Sequence, residues 1–340
     1  MPSKISSDDT AAPATEATTG AAEQRYIDAI IATALQLGTD GTSIGDLKIA
    51  TGALKEMRHA FKLFAPYRHV RKVSTFGSAR TETDDAVFQL AEGFAACIAD
   101  CGYMVITGAG PGIMEACQRG AGRDRSFGIN IRLPFEQEAN RVIHGDPKLM
   151  HFKYFFTRKL FFVKEADAVV LFPGGFGTHD EGFETLTLLQ TGKTRPIPLV
   201  LLDRPRGTYW KTWQRYVEDQ ILRRAMISSD DLGLYKVTDN VQTAVDEIIT
   251  FYRVYHSSRY VGDRFVIRLM RPLPEPFVQV LTEEFRDIIV DGVMEQRPAF
   301  PAERDDAAIF HLPRLVFHFS RIHFGRLRQL IDRINGAPVE

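Results

Sequence analysis

The sequence predicts an α/β fold with a doubly wound parallel sheet and helices on both of its faces. Between residues 70 and 257, five short apolar runs alternate with amphipathic stretches, and most of the runs end in loops that contain glycine. Runs that are apolar at every position are typical of strands buried on both faces of a sheet, as in βαβ units. This segment is therefore expected to form the main domain.

The five predicted strands each lead into a loop, and they span residues 73–76, 103–107, 126–131, 168–172 and 197–202. In a parallel sheet of this kind, ligands collect at the carboxyl ends of the strands, near the point where the strand order reverses. Loops from distant parts of the sequence should therefore converge there. The expected arrangement is Rossmann-like.

Two flanking regions differ from the main domain in composition. Residues 1–20 are rich in Ala, Thr, Ser and acidic residues without an apolar period, so we expect a disordered tail. Within residues 21–69, apolar residues at helical spacing predict helices at about 24–37 and 44–63.

The last region, residues 258–340, is predicted to be a small α+β unit. Its predicted strands span 264–270, 293–298 and 313–319, and its predicted helices span 275–290 and 325–335. Its function is not legible from the sequence. For this unit, a role in covering the main domain or in forming a dimer contact is favoured over a second ligand site.

The composition limits the classes of partner. The 42 Lys and Arg nearly balance the 43 Asp and Glu, and the net charge of −1 gives no reason to expect a nucleic-acid or membrane partner. No basic segment followed by an apolar one comes after Met1, and no apolar run approaches the length of a membrane span, so neither a signal peptide nor a membrane segment is expected. The three cysteines contain no CxxC pair. We expect a cytoplasmic protein that is a homodimer or higher homo-oligomer. No metal and no cofactor are expected, because no ligand cluster is visible.

The most informative segment is PGGFGTHDEGFE, residues 173–184, which follows an apolar strand. Gly174, Gly175 and Gly177 permit tight turns and let backbone N–H groups approach an anion. Thr178 opens a helix, whose N-terminus favours a phosphate. Glycines also occur where they only close a turn, and acidic residues are favourable in any first helical turn. The loop is interpreted as a phosphate cradle because of its context.

That context is two further strand-to-helix turns. ITGAGPGIMEA contains Gly108, Gly110 and Gly112, and FGSAR offers Ser78 and Arg80 in an equivalent place. Three such turns favour a nucleotide ligand. The GAGPG turn is not GxGxxG and no acidic residue closes the next strand, which disfavours an NAD enzyme. No GxxxxGK[ST] sequence is present, which excludes the phosphate-loop NTPases.

PGGFGTHDE resembles the PGGxGTxxE motif of the LOG (Lonely Guy) family, whose members were once widely labelled lysine decarboxylases. The segment Thr157-Arg158-Lys159 lies where that family carries an Arg-Lys pair. GAGPGIMEA is similar to the family's GGGxxGxM turn, with alanine in place of the second glycine. The resemblance covers about residues 70–255.

The resemblance implies hydrolysis of the N-glycosidic bond of a nucleoside 5′-monophosphate, such as AMP or a cytokinin riboside monophosphate. Arg158 and Glu181 match the catalytic arginine and glutamate of the family. A carboxylate can stabilise the positive charge that develops on the ribose and can activate water. Glu181 is about one helical turn beyond Thr178, so a bound phosphate could place the sugar beside it.

Weaker correspondences concern four further residues. Lys159, Glu184 and Thr187 match substrate-site positions of the family, although each could instead lie on a solvated or packed helix face. Glu136 falls near a substrate-binding glutamate, and an alignment that uses Glu138 is nearly as good.

Two other functions remain open at this point. One is a nucleotide or cofactor carrier on the same fold, because fold does not determine function. The other is a decarboxylase dependent on pyridoxal phosphate, which would need Lys159 as its Schiff-base lysine. The accepted base depends on the shape of a pocket, which motifs do not encode.

Overall fold

The computed structural model describes residues 14–132, 138–304 and 306–338, with side chains from residue 23 onward. Internal contacts divide the chain into two compact units, residues 1–54 and 55–340. The first contains helix α1 (Ala14–Thr39) and the start of helix α2 (Ile44–Phe64). Helix α1 begins within the segment for which a disordered tail was expected, and residues 1–13 lie outside the described part.

A capping interaction explains where α2 begins. The hydroxyl of Ser43 accepts a hydrogen bond from the Asp46 N–H at 3.1 Å and donates one to the Asp46 carboxylate at 2.7 Å. The serine thereby satisfies an N–H group that has no partner within the helix.

The second unit is built on a parallel sheet, as predicted, and in the described residues this sheet has seven strands instead of the predicted five. Its strands are β1 (Lys72–Phe76), β2 (Met104–Thr107), β3 (Ser126–Ile131), β4 (Leu149–Phe152), β5 (Ala168–Leu171), β6 (Leu199–Leu202) and β7 (Lys236–Thr238). Every residue of the five predicted strands is buried. The sequence analysis missed β4 and β7 because these edge strands are short and partly exposed.

Helices cover both faces of this sheet. They are α3 (Ala86–Asp100), α4 (Ile113–Ala121), α5 (Phe155–Lys164), α6 (Phe176–Gln190), α7 (Tyr209–Tyr216) and α8 (Val241–Phe251). Alternate residues of β5 serve the two faces: Val169 and Leu171 pack in one core cluster and Val170 in the other. The predicted Rossmann-like, doubly wound α/β class is therefore confirmed. None of the helices described is long and apolar enough to span a membrane.

The C-terminal part has a separate four-stranded antiparallel sheet with its own core. Its elements are β8 (Tyr255–Val261), β9 (Arg264–Leu269), α9 (Glu275–Glu284), β10 (Glu295–Arg297), β11 (Arg314–Phe317) and α10 (Phe324–Asn335). The predicted helix 275–290 was too long, because α9 ends at Glu284. The sequence analysis missed β8, an edge strand whose polar, half-exposed residues lack an apolar run.

A buried ion network lies in this C-terminal part. Glu303 and Arg314 are fully buried, and Arg314 Nε lies 3.2 Å from Glu303 Oε2. Arg268 Nη2 lies 3.0 Å from the other oxygen of the same carboxylate. Two arginines thus compensate one buried carboxylate, which burial without partners would penalise strongly.

The strand order positions the ligand site. The order across the main sheet is β4-β3-β2-β1-β5-β6-β7. The chain therefore proceeds outward from β1 to β4 and then returns to start β5 on the other side of β1. The switch point lies between β1 and β5, and the loops after these strands open a crevice there.

Candidate functional site

A cavity of about 780 Å³ lies at the switch point. Its lining consists of residues 76–80, Gly108, Met114, Phe155, Arg158 and residues 174–181. The loops that form it are joined by backbone hydrogen bonds. Ser78 N–H donates to Pro173 O at 3.1 Å, and Ile113 N–H donates to Ser78 O at 3.0 Å. The turns after β1, β2 and β5 thus meet, as the sequence analysis expected.

The loop after β5 has two kinds of glycine. A Cβ on Gly174 would lie 2.1 Å from Thr178 Oγ1, so no side chain fits at this position. A Cβ on Gly175 or Gly177 would meet nothing within 4 Å, because both residues border the open cavity. Helix α6 begins at Phe176, so its first N–H groups and the positive end of its dipole lie at the cavity. This geometry suits an anion.

The turn after β2 is shaped by three positions. Ala109 has a φ of 60° and Gly112 a φ of 68°, both in the left-handed region that favours glycine. Asn140 Nδ2 donates to Gly110 O at 2.9 Å and supports the turn from outside. Of the predicted residues Gly108, Gly110 and Gly112, the cavity lining includes Gly108. Gly110 and Gly112 are buried and support the turn.

Arg158 projects from α5 into the cavity lining. Its Nε donates to Ile129 O at 2.8 Å, and the guanidinium lies 4.9 Å from the centre of the Phe162 ring. A Cβ on Gly108 would lie 2.5 Å from Arg158 Nη2, so the glycine makes room for the guanidinium. Burial lowers the pKa of Arg158 to about 10, against the opposing influence of the Glu181 charge. The group remains a cation at neutral pH.

Glu181 lies on α6 and is 6% exposed. Burial raises the pKa of its carboxyl to about 7, and the nearby Glu184 adds to this, although Lys159 and Arg158 favour the ionised form. Lys159 Nζ lies 3.3 Å from Glu181 Oε2, yet within the described residues this oxygen has no hydrogen-bond partner. This oxygen is itself buried, and the charged group nearest to it among the ion pairs of the described residues is the Lys159 ammonium.

Lys159 points away from Arg158 although the two residues are adjacent in sequence. Its Nζ lies 2.6 Å from Glu184 Oε2 and 2.9 Å from Asp180 Oδ2, between helices α5 and α6. Burial alone would lower its pKa, but these hydrogen bonds and the charge of Glu181 raise it. Lys159 and Glu184 form an ion pair behind the cavity and do not line it.

The remaining predicted residues lie in different places. Ser78 lines the cavity, and its hydroxyl accepts a hydrogen bond from the Arg80 N–H at 3.1 Å. Thr187 is exposed further along α6 and donates to Phe183 O at 2.8 Å, so it is not brought to the cavity. Glu136 lies outside the described residues, and Glu138 is exposed.

Two features of the site were not predicted from the sequence. Met114 and Phe155 contribute apolar lining: Met114 lies within the GAGPGIMEA turn but was not expected to face the ligand, and Phe155 belongs to no motif. The hydroxyl of Tyr209, from the start of α7, donates to Gly174 O, and His179 Nε2 lies 2.6 Å from the same hydroxyl. The second contact joins residues 30 positions apart, and only the fold brings them together.

No group of three or more His, Cys, Asp or Glu side chains in the described part of the chain is arranged to hold a metal ion. The cavity lining includes the cationic side chains of Arg80 and Arg158 and the carboxylates of Asp180 and Glu181.

A parallel sheet of this order with a glycine loop at its switch point defines a Rossmann-like α/β protein. Residues 114–248 match the family model described as "Possible lysine decarboxylase", the domain of the LOG family. The matched segment contains Arg158 and residues 173–181. The match over these residues agrees with the resemblance to the LOG family that the motifs predicted.

Several solved structures are similar to part of the chain. A molybdenum cofactor carrier protein from Chlamydomonas reinhardtii is 19% identical, with a TM-score of 0.37, and the match covers 52% of this chain and 94% of that one. A molybdenum cofactor binding protein from Rippkaea orientalis is 16% identical, with a TM-score of 0.37 and coverage of 53% and 95%. The protein TM1055 is 23% identical, with a TM-score of 0.36 and coverage of 52% and 97%. No curated protein sequence matches the chain.

Proposed function

We propose that this chain hydrolyses the N-glycosidic bond of a nucleoside 5′-monophosphate and releases the free base and ribose 5-phosphate. The observation that carries the proposal is the convergence of Arg158 and Glu181 on one cavity that also contains a glycine loop and a helix N-terminus. The substrate class is AMP-like nucleotides, including cytokinin riboside monophosphates.

The phosphate is assigned to the loop of residues 174–178. Gly175 and Gly177 leave open space at the start of α6, where backbone N–H groups and the helix dipole favour a dianion. Arg80 and Arg158 also line the cavity and add positive charge. The phosphate would hold the ribose in place, so that binding energy remote from the reacting bond orients the sugar.

Glu181 is assigned the chemical role. Cleavage of the glycosidic bond builds positive charge on the ribose, and an ionised carboxylate nearby stabilises that charge. The same carboxylate can accept a proton from the attacking water. A pKa of about 7 suits such a base, because it is ionised in part at neutral pH and is more basic than an ordinary carboxylate.

The environment of Lys159 favours hydrolysis over a decarboxylase mechanism. A Schiff-base lysine needs a lowered pKa so that its amine is neutral. Lys159 has a raised pKa and lies between Asp180 and Glu184, which hold it as an ammonium ion. It is therefore assigned to positioning α6 and to partial neutralisation of Glu181.

Release of free base from AMP, adenosine and ATP by one preparation tests the proposal, with lysine as a control for decarboxylation. AMP should be cleaved, adenosine should react far more slowly because it lacks the phosphate, and ATP should be a poor substrate. Equal rates for adenosine and AMP would refute the assignment of the phosphate. Binding of AMP without release of base would instead support a carrier.

The variant Glu181→Gln tests the catalytic assignment. Turnover should fall by roughly a hundredfold or more, whereas nucleotide affinity should stay within about tenfold, as expected when one transition-state contact is lost. Unchanged turnover would remove Glu181 from the mechanism. Light scattering of the same preparations would test the proposed homodimer.

A further inference from the structure

Tyr209 and His179 form a hydrogen-bonded group with the glycine loop after β5. The Tyr209 hydroxyl donates to the carbonyl oxygen of Gly174, and His179 Nε2 lies 2.6 Å from that hydroxyl. His179 and Gly174 line the cavity, but Tyr209 does not. Tyr209 therefore contacts the loop but is not part of the cavity lining.

The hydrogen-bonding capacity of these groups determines the direction of each bond. A tyrosine hydroxyl has one proton, and Tyr209 uses it for the Gly174 carbonyl. The contact with His179 must then be a hydrogen bond from the imidazole N–H to the tyrosine oxygen. This selects the tautomer of His179 that carries its proton on Nε2. The hydrogen bonds then run in one direction, from the His179 imidazole to the Tyr209 hydroxyl and from that hydroxyl to the Gly174 carbonyl.

The planarity of the peptide bond extends the effect of these hydrogen bonds to the cavity. The described part of the polypeptide has no cis peptide bonds. The Gly174 C=O and the Gly175 N–H therefore point in opposite directions across one peptide plane. The Gly174 carbonyl is bound to Tyr209, which is not part of the cavity lining, so the Gly175 N–H points away from Tyr209. Among the residues described, this N–H has no acceptor, and Gly175 borders the open space of the cavity.

We propose that Tyr209 and His179 are positioning residues that orient the Gly174–Gly175 peptide so that the Gly175 N–H donates to a phosphate ester in the cavity. The inference rests on the proposed function for the identity of the ligand as a phosphate monoester, but not on hydrolysis. Glycine at positions 174 and 175 removes the restriction that side chains would place on rotation of this peptide. The hydrogen bond from Tyr209 therefore helps to hold one orientation.

Tyr209 is itself held independently of its hydroxyl. Its N–H donates to Asp203 Oδ2 at 2.9 Å, and its ring packs edge-on against Trp210 with 4.8 Å between centres. Loss of the hydroxyl alone should therefore leave α7 and the ring in place. The variant Tyr209→Phe isolates the effect on the loop.

The first experiment measures equilibrium binding of ribose 5-phosphate and inorganic phosphate, neither of which contains a glycosidic bond to a base. Tyr209→Phe should weaken both affinities by about fivefold to tenfold, the effect of one lost hydrogen bond on an anion site, with little change in melting temperature. Tyr216→Phe, at the exposed end of the same helix, is the matched control and should bind as the unaltered chain does. Affinities for both probes within twofold of the unaltered chain would overturn the proposal, as would a failure of the unaltered chain to bind either probe.

The second experiment tests the direction of the chain of hydrogen bonds. His179→Leu removes the donor to Tyr209 and should weaken phosphate binding, whereas His179→Gln retains an N–H donor and should restore most of the affinity. In the Tyr209→Phe background, His179→Leu should add little, because its effect passes through the missing hydroxyl. Fully additive losses would overturn the proposal. A chain that binds phosphate and responds in this way, but releases no base from AMP, would refute the proposed hydrolysis and leave this inference standing.

Discussion

Replacing Glu181 with glutamine should stabilise the folded chain at neutral and alkaline pH while it impairs turnover. The carboxyl is 6% exposed, and burial raises its pKa from 4.5 to about 7. Between these two values the unfolded chain has released the proton and the folded chain has kept it. Stability of the unaltered chain should therefore fall as the pH rises through this range and level off above about 7.

The size of the effect follows from the same two values. The difference between 4.5 and about 7 corresponds to about 3 kcal/mol of unfolding free energy, at 1.36 kcal/mol for each pKa unit. Glutamine has a similar shape and no proton to lose, so it avoids this cost. The favourable influence of Lys159 on the ionised form is already contained in the pKa. The variant should match the unaltered chain below about pH 4, where the carboxyl is protonated in both states, and exceed it by up to about 3 kcal/mol near pH 8.

Thermal or urea unfolding of both chains at several pH values between about 5 and 8 measures the difference. The matched control is Asp180→Asn, which removes an exposed carboxylate from the same helix and the same lysine. This control should show no gain in stability that grows with pH. A stability difference for Glu181→Gln that is constant across the range, or that shrinks as the pH rises, would refute a buried carboxyl of raised pKa at this site.

Three further predictions concern activity. Gly108→Ala should reduce turnover about tenfold or more with little loss of stability. The added Cβ would lie 2.5 Å from the flexible end of Arg158 and would displace it, but would not displace any backbone atom. Gly93→Ala, whose Cβ would meet no atom within 4 Å, is the control and should keep full activity. The value of kcat/KM should rise with pH through about 7 and then level off, since Glu181 must be ionised to act as a base, and a falling profile would assign it the role of an acid instead. Hydrolysis should persist in excess chelator, and a reversible loss of activity that magnesium or zinc restores would reveal a metal site.

Local sequence was sufficient to predict the elements whose signal lies within a few residues. The strands β1, β2, β3, β5 and β6 were predictable because each is buried on both faces and carries apolar residues on both, even where a buried polar residue such as Ser74 or Asn130 interrupts the run. The edge strands β4, β7 and β8 were not, because a partly exposed strand imposes no such pattern. The motif after β5 likewise placed Thr178 and Glu181 about one turn apart on one helix, and helical geometry alone ensures their proximity.

Tertiary structure decided which of the motif residues face the cavity. Arg158 and Lys159 are neighbours in sequence, but successive residues of a helix point about 100° apart. One therefore lines the cavity, and the other is drawn between Asp180 and Glu184. The raised pKa of Glu181 and the contact of Tyr209 with Gly174 also arise only after folding. Burial and long-range hydrogen bonds depend on residues brought together from distant parts of the chain, and no local pattern encodes them.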